Sequence, residues 1–354
     1  MTPFTYVEAT SVEQALQAFE GGENDEDVRW IAGGTNLLDL MKENVERPTR
    51  VIDLNRLQLR AIEPTESGGL ILGALARNAD TAYDEAVRQR YPLLNAALLA
   101  GASPQIRNMA TNGGNLLQRT RCVYFYDATV PCNKRRPGSG CSAIGGLTRQ
   151  HAILGASEAC IATHPSDMCV ALAALEAVVH VQSRLGRRSI RFADFHRLPG
   201  DRPDQDNILA PGDLITHIEL PPAPQFAAHS AYLKVRDRAS YAFALVSVAA
   251  ALDMDAQGQV RGARISLGGV AHKPWRKPQA EAVLAGKAPA TVHFEAVADE
   301  LLEGARSEGD NGFKLVMARR AIVRALETAA SGTQAHAQDP NDGPGRPDLK
   351  EQTS

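Results

Sequence analysis

The sequence predicts an α+β protein of two domains, and three observations support this prediction. Its 354 residues, 44% hydrophobic and 22% charged, suffice for two or three packed units. Short β-branched runs alternate with helical patterns in roughly the first sixty residues, which favours a small parallel α/β subdomain. A stretch rich in proline and alanine near Pro221 then separates a first domain from a second patterned region at about residues 226–330.

Local signals define the first elements in order. FTYVEAT predicts a strand, and Ser11 is expected to cap a helix that carries Glu13 and Gln14 in its first turn. VRWIAGG predicts a second strand, NLLDLMKENV a second helix and PTRVIDL a third strand. We therefore expect the order strand, helix, strand, helix, strand.

The rest of the first domain predicts mixed α+β structure with an insertion that is rich in turns. MCVALAALEAVVHV, residues 168–181, is too short to span a bilayer and predicts a core helix that runs into a strand. Residues 331–354 contain no apolar cluster able to anchor a core, so they predict a disordered tail.

Charge and the N-terminal sequence limit the classes of function. A formal net charge of -3 argues against an electrostatic grip on nucleic acid. The N-terminus lacks a basic segment followed by an apolar run, so we expect no export signal on this chain. A cytoplasmic location, or a periplasmic one reached by export together with a partner, is the resulting expectation.

Two glycine pairs stand where a strand would meet a helix. Gly33 and Gly34 define the first glycine corner, residues 33–37, and Gly113 and Gly114 lie in the second glycine corner, residues 111–115. Glycine permits positive φ and close approach of a ligand, and N–H groups at a helix start bind phosphate oxygens. Neither corner matches a Walker loop or GxGxxG, so plain turns remain the alternative to a clamp for a dinucleotide pyrophosphate.

The cysteines are clustered along the chain. All five, at positions 122, 132, 141, 160 and 169, fall within 48 residues, but their spacing fits neither CxxC zinc sites nor common ferredoxins. Cys169 lies in a helical apolar pattern and is expected to be a buried small hydrophobe. For the other four, an iron-sulfur cluster, a zinc ion and disulfide bonds all remain open.

Several motifs together carry a family resemblance. IAGGTNLL, IRNMATNGGNLL, THPSDM, YLKVRDRASYAFALVSVA and LGGVAHKPWR resemble the FAD-binding subunit of the xanthine dehydrogenase and molybdenum hydroxylase family, over residues 1 to about 328. RTRCVYFYDATVPCNKRRPGSGC is more narrowly similar to the flavoprotein subunit of bacterial periplasmic aldehyde oxidoreductases. The resemblance implies an FAD-binding domain of two α/β subdomains (PCMH-type) at 1–222, an insertion at about 119–160, and a C-terminal α+β domain of the CO dehydrogenase flavoprotein type at 226–330.

The resemblance also implies site residues. Asp167 would bind the ribityl chain, Lys234 would lie near the flavin ring, and Ile215 would pack against the flavin, although a core position explains that isoleucine equally well. The implied FAD-binding residues are Arg29, Trp30, Ile31, Ala32, Gly33, Gly34, Thr35, Asn36, Leu37, Thr111, Gly114, Asn115, Asp167, Ile215 and Lys234. The insertion would hold a [4Fe-4S] cluster through Cys122, Cys132, Cys141 and Cys160.

By this resemblance the chain is expected to be the FAD-containing electron-transfer subunit of a molybdenum-dependent aldehyde oxidoreductase. A molybdenum-cofactor subunit would oxidise the substrate, and a [2Fe-2S] subunit would relay electrons to this FAD, so no catalytic residue is expected here. Two rival hypotheses are a stand-alone FAD-dependent oxidase of a small alcohol or aldehyde, and a non-catalytic interaction protein stabilised by zinc or disulfides.

Overall fold

The structure, a computed structural model, describes residues 1–20 and 27–333. Its N-terminal part is a parallel three-stranded sheet of order β1-β3-β2 with two connecting helices. The elements are β1 (Thr5–Glu8), α1 (Val12–Glu20), β2 (Val28–Ile31), α2 (Leu37–Lys42) and β3 (Arg50–Asp53). The predicted alternation of strands and helices in this part of the chain is confirmed.

Helix α1 begins where predicted because Ser11 caps it. The Ser11 Oγ accepts the Gln14 N–H at 3.1 Å, and the Gln14 Oε1 accepts the Thr10 N–H at 2.7 Å. This reciprocal pair satisfies N–H groups that the helix itself leaves without partners. The helix then buries Leu16 and Phe19 in the core beneath the parallel sheet.

The second part of the chain forms a five-stranded sheet of order β4-β5-β8-β6-β7, in which every neighbouring pair is antiparallel. Among the strands that the structure describes, parallel pairing is therefore confined to the N-terminal sheet. Helices pack on one side of the antiparallel sheet around a core of aliphatic side chains. The elements are β4 (Ile62–Pro64), β5 (Leu70–Gly73), α3 (Asn78–Tyr83), α4 (Glu85–Arg90), α5 (Pro92–Ala100), α6 (Pro104–Arg107), α7 (Asn112–Leu116), α8 (Val123–Tyr126), α9 (Asp167–Ala174), β6 (Val178–Ser183), β7 (Gly186–Arg191), α10 (Phe192–Phe195) and β8 (Leu214–Leu220).

One prediction about this region, a core helix that runs into a strand, is confirmed. The apolar run at 168–181 is the buried helix α9 followed directly by strand β6. Residues 119–160 form an irregular excursion in which the one regular helix is the four-residue α8, and two isolated bridges join Cys132 to Cys141 and Ser157 to Cys160.

The C-terminal part is an antiparallel sheet of order β11-β10-β9 covered by helices. A short 3-10 helix (Pro224–Phe226) precedes it. The elements are β9 (Ser230–Val235), β10 (Val246–Met254), β11 (Val260–Gly268), α11 (Pro278–Ala282), α12 (Thr291–Leu301) and α13 (Phe313–Ala330). Of the tail predicted at 331–354, residues 334–354 lie outside the described residues.

Strand β10 joins the two larger cores. Ala249 and Ala251 belong to the core of the antiparallel five-stranded sheet. Val248 and Ala250, on the opposite face, belong to the core formed with α12 and α13. Because successive side chains of a strand point to opposite faces, one apolar strand is buried on both sides and fixes the two parts together.

None of the helices in the described part of the chain is long and apolar enough to cross a membrane.

Candidate functional site

A cleft of about 2000 Å³ lies between the parallel sheet, the antiparallel sheet and the start of the C-terminal part. Each residue that the sequence predicts to bind FAD lines this cleft. They are Arg29, Trp30, Ile31, Ala32, Gly33, Gly34, Thr35, Asn36, Leu37, Thr111, Gly114, Asn115, Asp167, Ile215 and Lys234. Positions up to 205 residues apart in the sequence, from Arg29 to Lys234, are therefore brought to one concave surface.

The first glycine corner presents free backbone donors to the cleft. Strand β2 ends at Ile31 and helix α2 begins at Leu37. None of the N–H groups of residues 33–37 donates to a protein acceptor within the described residues. A run of unpaired N–H groups at the start of a helix is a typical site for an anion such as a phosphate.

Steric constraints explain why both of these positions are occupied by glycine. A Cβ on Gly33 would lie 1.8 Å from the Met109 carbonyl oxygen, and Gly34 has a φ of +70°. Glycine alone accepts such an approach and such a backbone angle without strain. The Met109 contact also shows that the first corner abuts the segment leading into the second.

The second glycine corner differs from its prediction. The sequence predicts exposed amides there, but the Gly113 N–H donates to the Ala74 oxygen at 2.8 Å and the Asn115 N–H donates to the Thr111 oxygen at 2.8 Å. The Gly114 N–H donates to the Thr111 Oγ1, which caps α7. The amides at 113–115 are thus used to build the corner, so free backbone donors are concentrated at the first corner and a clamp between two sets of free amides is not formed.

Asp167 and Lys234 lie in the cleft wall as a buried ion pair. The Lys234 Nζ lies 2.8 Å from the Asp167 Oδ2, and the two side chains are 4% (Lys234) and 7% (Asp167) exposed. The Tyr232 hydroxyl donates to the other Asp167 oxygen at 2.7 Å, and the Lys234 Nζ also donates to the Ala100 oxygen at 3.0 Å. Burial, together with the nearby Asp167 charge, raises the pKa of Tyr232 well above its ordinary value, so this phenol stays protonated and remains a donor.

Ile215 is compatible with both interpretations of its role. It is 5% exposed on strand β8, where it pairs with Val181 and belongs to the core of the antiparallel sheet. One side of the residue also lines the cleft.

Sequence reasoning predicted Arg29 for this cleft but missed the charged residues to which it is linked, namely Glu46, Arg119 and Asp206. Arg119 donates to the Glu46 Oε1 at 2.7 Å and to the Asp206 Oδ2 at 2.8 Å, while Arg29 also contacts Glu46 at 2.9 Å. Although burial opposes it, Arg29 and Arg119 hold the pKa of the Glu46 carboxyl below its usual value. The available signal was weak, since these charges flank the two corners without forming a local motif.

Arg119 also connects the first corner to the cysteine-bearing insertion. Its backbone N–H donates to the Asn36 Oδ1 at 2.8 Å. Leu40 of helix α2 packs in one apolar cluster with Phe125 and Cys132 of the insertion. The helix that begins at the first corner therefore rests directly on the insertion.

Four cysteines of the insertion converge on a small internal cavity. Cys122, Cys132, Cys141 and Cys160 all line it, and each is a free thiol. Burial raises the pKa of the Cys122 thiol to about 12 and that of Cys160 to about 11. These thiols therefore release their protons to solvent when a bound cation supplies compensating positive charge.

The four cysteines leave a choice between two kinds of metal site. No pair among them is joined as a disulfide, so each sulfur is available as a ligand. Four thiolates that line one cavity suit either a zinc ion or an iron-sulfur cluster.

Cys169 is confirmed as a buried residue of helix α9, with 0% exposure. It does not line the cavity of the other four cysteines.

Two protein families match the chain, one over each of its parts. The family described as FAD binding domain in molybdopterin dehydrogenase matches residues 2–223. The family described as CO dehydrogenase flavoprotein C-terminal domain matches residues 231–329. Together the two matches cover most of the chain.

Individual relatives are similar over most of their length. The aldehyde oxidoreductase FAD-binding subunit PaoB of Escherichia coli K12 is 53% identical, covering 93% of this chain and 99% of the relative. The glyceraldehyde dehydrogenase medium chain of Sulfolobus acidocaldarius is 30% identical, covering 80% and 82%. A solved carbon monoxide dehydrogenase from Hydrogenophaga pseudoflava that lacks the Mo-pyranopterin moiety superposes with a TM-score of 0.72 at 26% identity, covering 93% of this chain and 98% of that one.

Proposed function

The chain belongs to the family of FAD-binding subunits of molybdenum hydroxylases, and from this premise we propose that its cleft binds FAD through the first glycine corner and the Asp167–Lys234 pair. It is an oxidoreductase subunit of the aldehyde oxidoreductase and xanthine dehydrogenase family. Family membership displaces the rival hypothesis of a non-catalytic interaction protein. It also makes the stand-alone oxidase the weaker alternative.

One observation carries the proposal for FAD. The run of unpaired N–H groups at 33–37 faces a cleft of about 2000 Å³ whose far wall holds a buried ion pair. The N–H groups would bind the pyrophosphate, because they and the start of α2 favour negative charge. Asp167, held by Lys234 and Tyr232, would accept a hydrogen bond from a ribityl hydroxyl.

FAD in this cleft would supply exchange of one or two electrons, which links iron-sulfur carriers to a terminal acceptor. The chain's own residues bind and orient the cofactor. Because the Lys234 charge is already compensated by Asp167 at 2.8 Å, its influence on the ring is weaker than that of an unpaired lysine. Lys234 therefore acts mainly by holding the Asp167 carboxylate in place.

Cys122, Cys132, Cys141 and Cys160 are proposed to hold a [4Fe-4S] cluster. Support comes from their convergence on one cavity and from the free state of all four thiols. Such a cluster would supply one-electron exchange. Its thiols would deprotonate when iron binds, since burial alone keeps Cys122 and Cys160 protonated at neutral pH.

The chain is a medium FAD subunit of a multi-subunit molybdenum hydroxylase complex. We propose that a molybdenum-cofactor subunit oxidises an aldehyde and that a [2Fe-2S] subunit passes the electrons on. The name of the Escherichia coli relative supports an aldehyde as the substrate class. We also propose that the folded complex is either cytoplasmic or exported to the periplasm by a signal on a partner.

The test uses the full chain expressed without partner subunits, so that all iron belongs to this chain. We expect one FAD, and about four irons with matching acid-labile sulfide, per chain purified without oxygen. Cys132→Ser should lose the iron and keep the FAD, while Lys287→Met, a control at an exposed position outside the cavity, should keep both. FAD without iron in the unsubstituted chain would overturn the cluster, and a colourless chain would overturn the FAD site.

A further inference from the structure

His164, Cys169 and His196 form a second cluster of potential metal ligands, separate from the cavity of four cysteines. One ligand atom from each residue lies within 4.8 Å of the other two. The two imidazole rings have centroids 4.4 Å apart and planes inclined by 59°. The three residues come from the segment before α9, from α9 itself and from the end of α10.

Two nitrogen atoms of this cluster are buried without a partner. His164 Nε2 and His196 Nδ1 have no hydrogen-bond partner within the described residues, and the two histidines are 9% and 4% exposed. Buried polar atoms in folded proteins normally have a partner, so two adjacent exceptions point to a missing ligand. The Cys169 sulfur, 0% exposed, lies beside them.

The protonation of His196 suits metal binding. Its Nε2 lies 2.9 Å from the Leu116 carbonyl oxygen, so this nitrogen carries the proton and Nδ1 presents its lone pair. A metal-bound histidine typically donates its other N–H to a carbonyl in this way.

From this geometry we propose that His164, Cys169 and His196 bind one Zn²⁺ ion. Two imidazoles and one thiolate are ordinary zinc ligands. Of the three ligands, His164 also lines a neighbouring cavity of about 210 Å³, whereas Cys169 and His196 do not.

Charge and protons balance on binding. The Cys169 thiol releases its proton to solvent, which leaves one thiolate, two neutral imidazoles and a net charge of +1 with Zn²⁺. The thiolate forms in the first turn of α9, where the helix N-terminus stabilises negative charge and Ser166 Oγ accepts the Cys169 N–H at 3.1 Å. On His164 the proton moves to Nδ1, which gives up only the long 3.4 Å contact from the Ser166 N–H.

The ion would fix the segment that carries Asp167. His164 and Cys169 flank Asp167 in the sequence, and His196 connects them to α10. The zinc is therefore a structural ion that holds one wall of the cleft. This inference does not depend on FAD or the [4Fe-4S] cluster being present.

The test is the zinc content of the full chain purified without chelators and incubated with Zn²⁺. We expect one zinc per chain, with a metal shell of one sulfur at about 2.3 Å and two nitrogens at about 2.0 Å in zinc-edge X-ray absorption. Cys169→Ala and His196→Gln should each lose the zinc and keep the iron. His180→Gln, at a β6 residue that stacks on His217 and is not among the three ligands, is the matched control and should keep both.

The absorption spectrum of the unsubstituted chain decides the question even if a variant fails to fold. No bound zinc would overturn the proposal, and it would leave a His164–His196 pair that merely shares a proton. A shell of sulfur alone would also overturn it, because that shell would place zinc in the cavity of four cysteines. Zinc retained in both Cys169→Ala and His196→Gln is the third contrary result.

Discussion

Asp167 and Lys234 show how a pair of residues distant in sequence shapes the cleft. The sequence predicts each of them from its own motif, yet the two side chains bind each other at 2.8 Å and bury each other's charge. The pair holds the carboxylate in a fixed position, and the Tyr232 hydroxyl satisfies its second oxygen. A buried ion pair costs more when one partner is removed than it contributes when intact.

Lys234→Met is therefore expected to lower the free energy of unfolding by about 3 to 5 kcal/mol, because Asp167 would remain buried without its cation. Urea denaturation of the full chain measures this. Adding Asp167→Asn to Lys234→Met should recover most of the loss. Lys277→Met, which removes a more exposed pair with Glu303, is the control and should cost less than about 1 kcal/mol. Equal losses in Lys234→Met and Lys277→Met would contradict this view of the pair.

The buried histidines illustrate what a single sequence conceals at this scale. The apolar neighbours of Cys169 recur with helical spacing, so they correctly predict a buried helical residue. The same pattern gives no indication that His164 and His196 lie beside it, since His196 is 27 residues further along the chain. Proximity of that kind depends on how α10 packs against α9, which no local signal specifies.

At the scale of secondary structure, the first glycine corner is the element on which the proposed binding of FAD depends. Its geometry relies on Gly33, because a Cβ there would overlap the Met109 carbonyl oxygen at 1.8 Å. Any side chain at position 33 would push the corner away from the segment that precedes the second corner. The free N–H groups at 33–37 would then move with it.

We expect Gly33→Ala to weaken FAD binding by about tenfold or more, since even about 1.4 kcal/mol of lost binding free energy has that effect. The FAD-to-protein ratio after gel filtration and a titration of the apoprotein with FAD measure the change. Gly262→Ala is a suitable control, because a Cβ at position 262 would lie 3.9 Å from its nearest neighbour, the Asp253 Cβ. Full FAD occupancy in Gly33→Ala would show that this corner does not hold the pyrophosphate.

The two corners also show where sequence reasoning succeeds and where it fails. The order of elements around the first corner is predictable because the Ser11 cap, the glycine pair and the β-branched runs act locally. Whether the N–H groups of the second corner are free is not predictable from local sequence, because the Gly113 N–H donates to the oxygen of Ala74, 39 residues earlier. Two corners of similar composition thus differ in their free donors through tertiary hydrogen bonds alone.

At the scale of the whole molecule, Lys314 ties helix α13 to the end of the insertion. Its side chain is 0% exposed and its Nζ donates to the His151 oxygen at 2.8 Å and to the Gly269 oxygen. Burial lowers the pKa of Lys314 from its usual 10.5 to about 7. The folded chain therefore binds fewer protons than the unfolded chain between about pH 7 and 10.5.

It follows that Lys314 should make the free energy of unfolding rise with pH across this window, by at most about 1.4 kcal/mol per pH unit. Below about pH 7 the full cost of burying the charged lysine is present, and it is relieved as pH increases. Urea denaturation at about pH 7 and about pH 9 measures the slope. Lys314→Met should flatten it, whereas Lys287→Met, at an exposed position, should leave it unchanged. An unchanged slope in Lys314→Met would refute this assignment.

Strand β10, whose opposite faces enter two separate cores, has a consequence for the cleft wall. Lys234 of β9 pairs with Ser247 of β10, so the backbone beneath the Asp167–Lys234 pair is anchored in both cores. A displacement of this wall would therefore require loss of packing on both faces of β10.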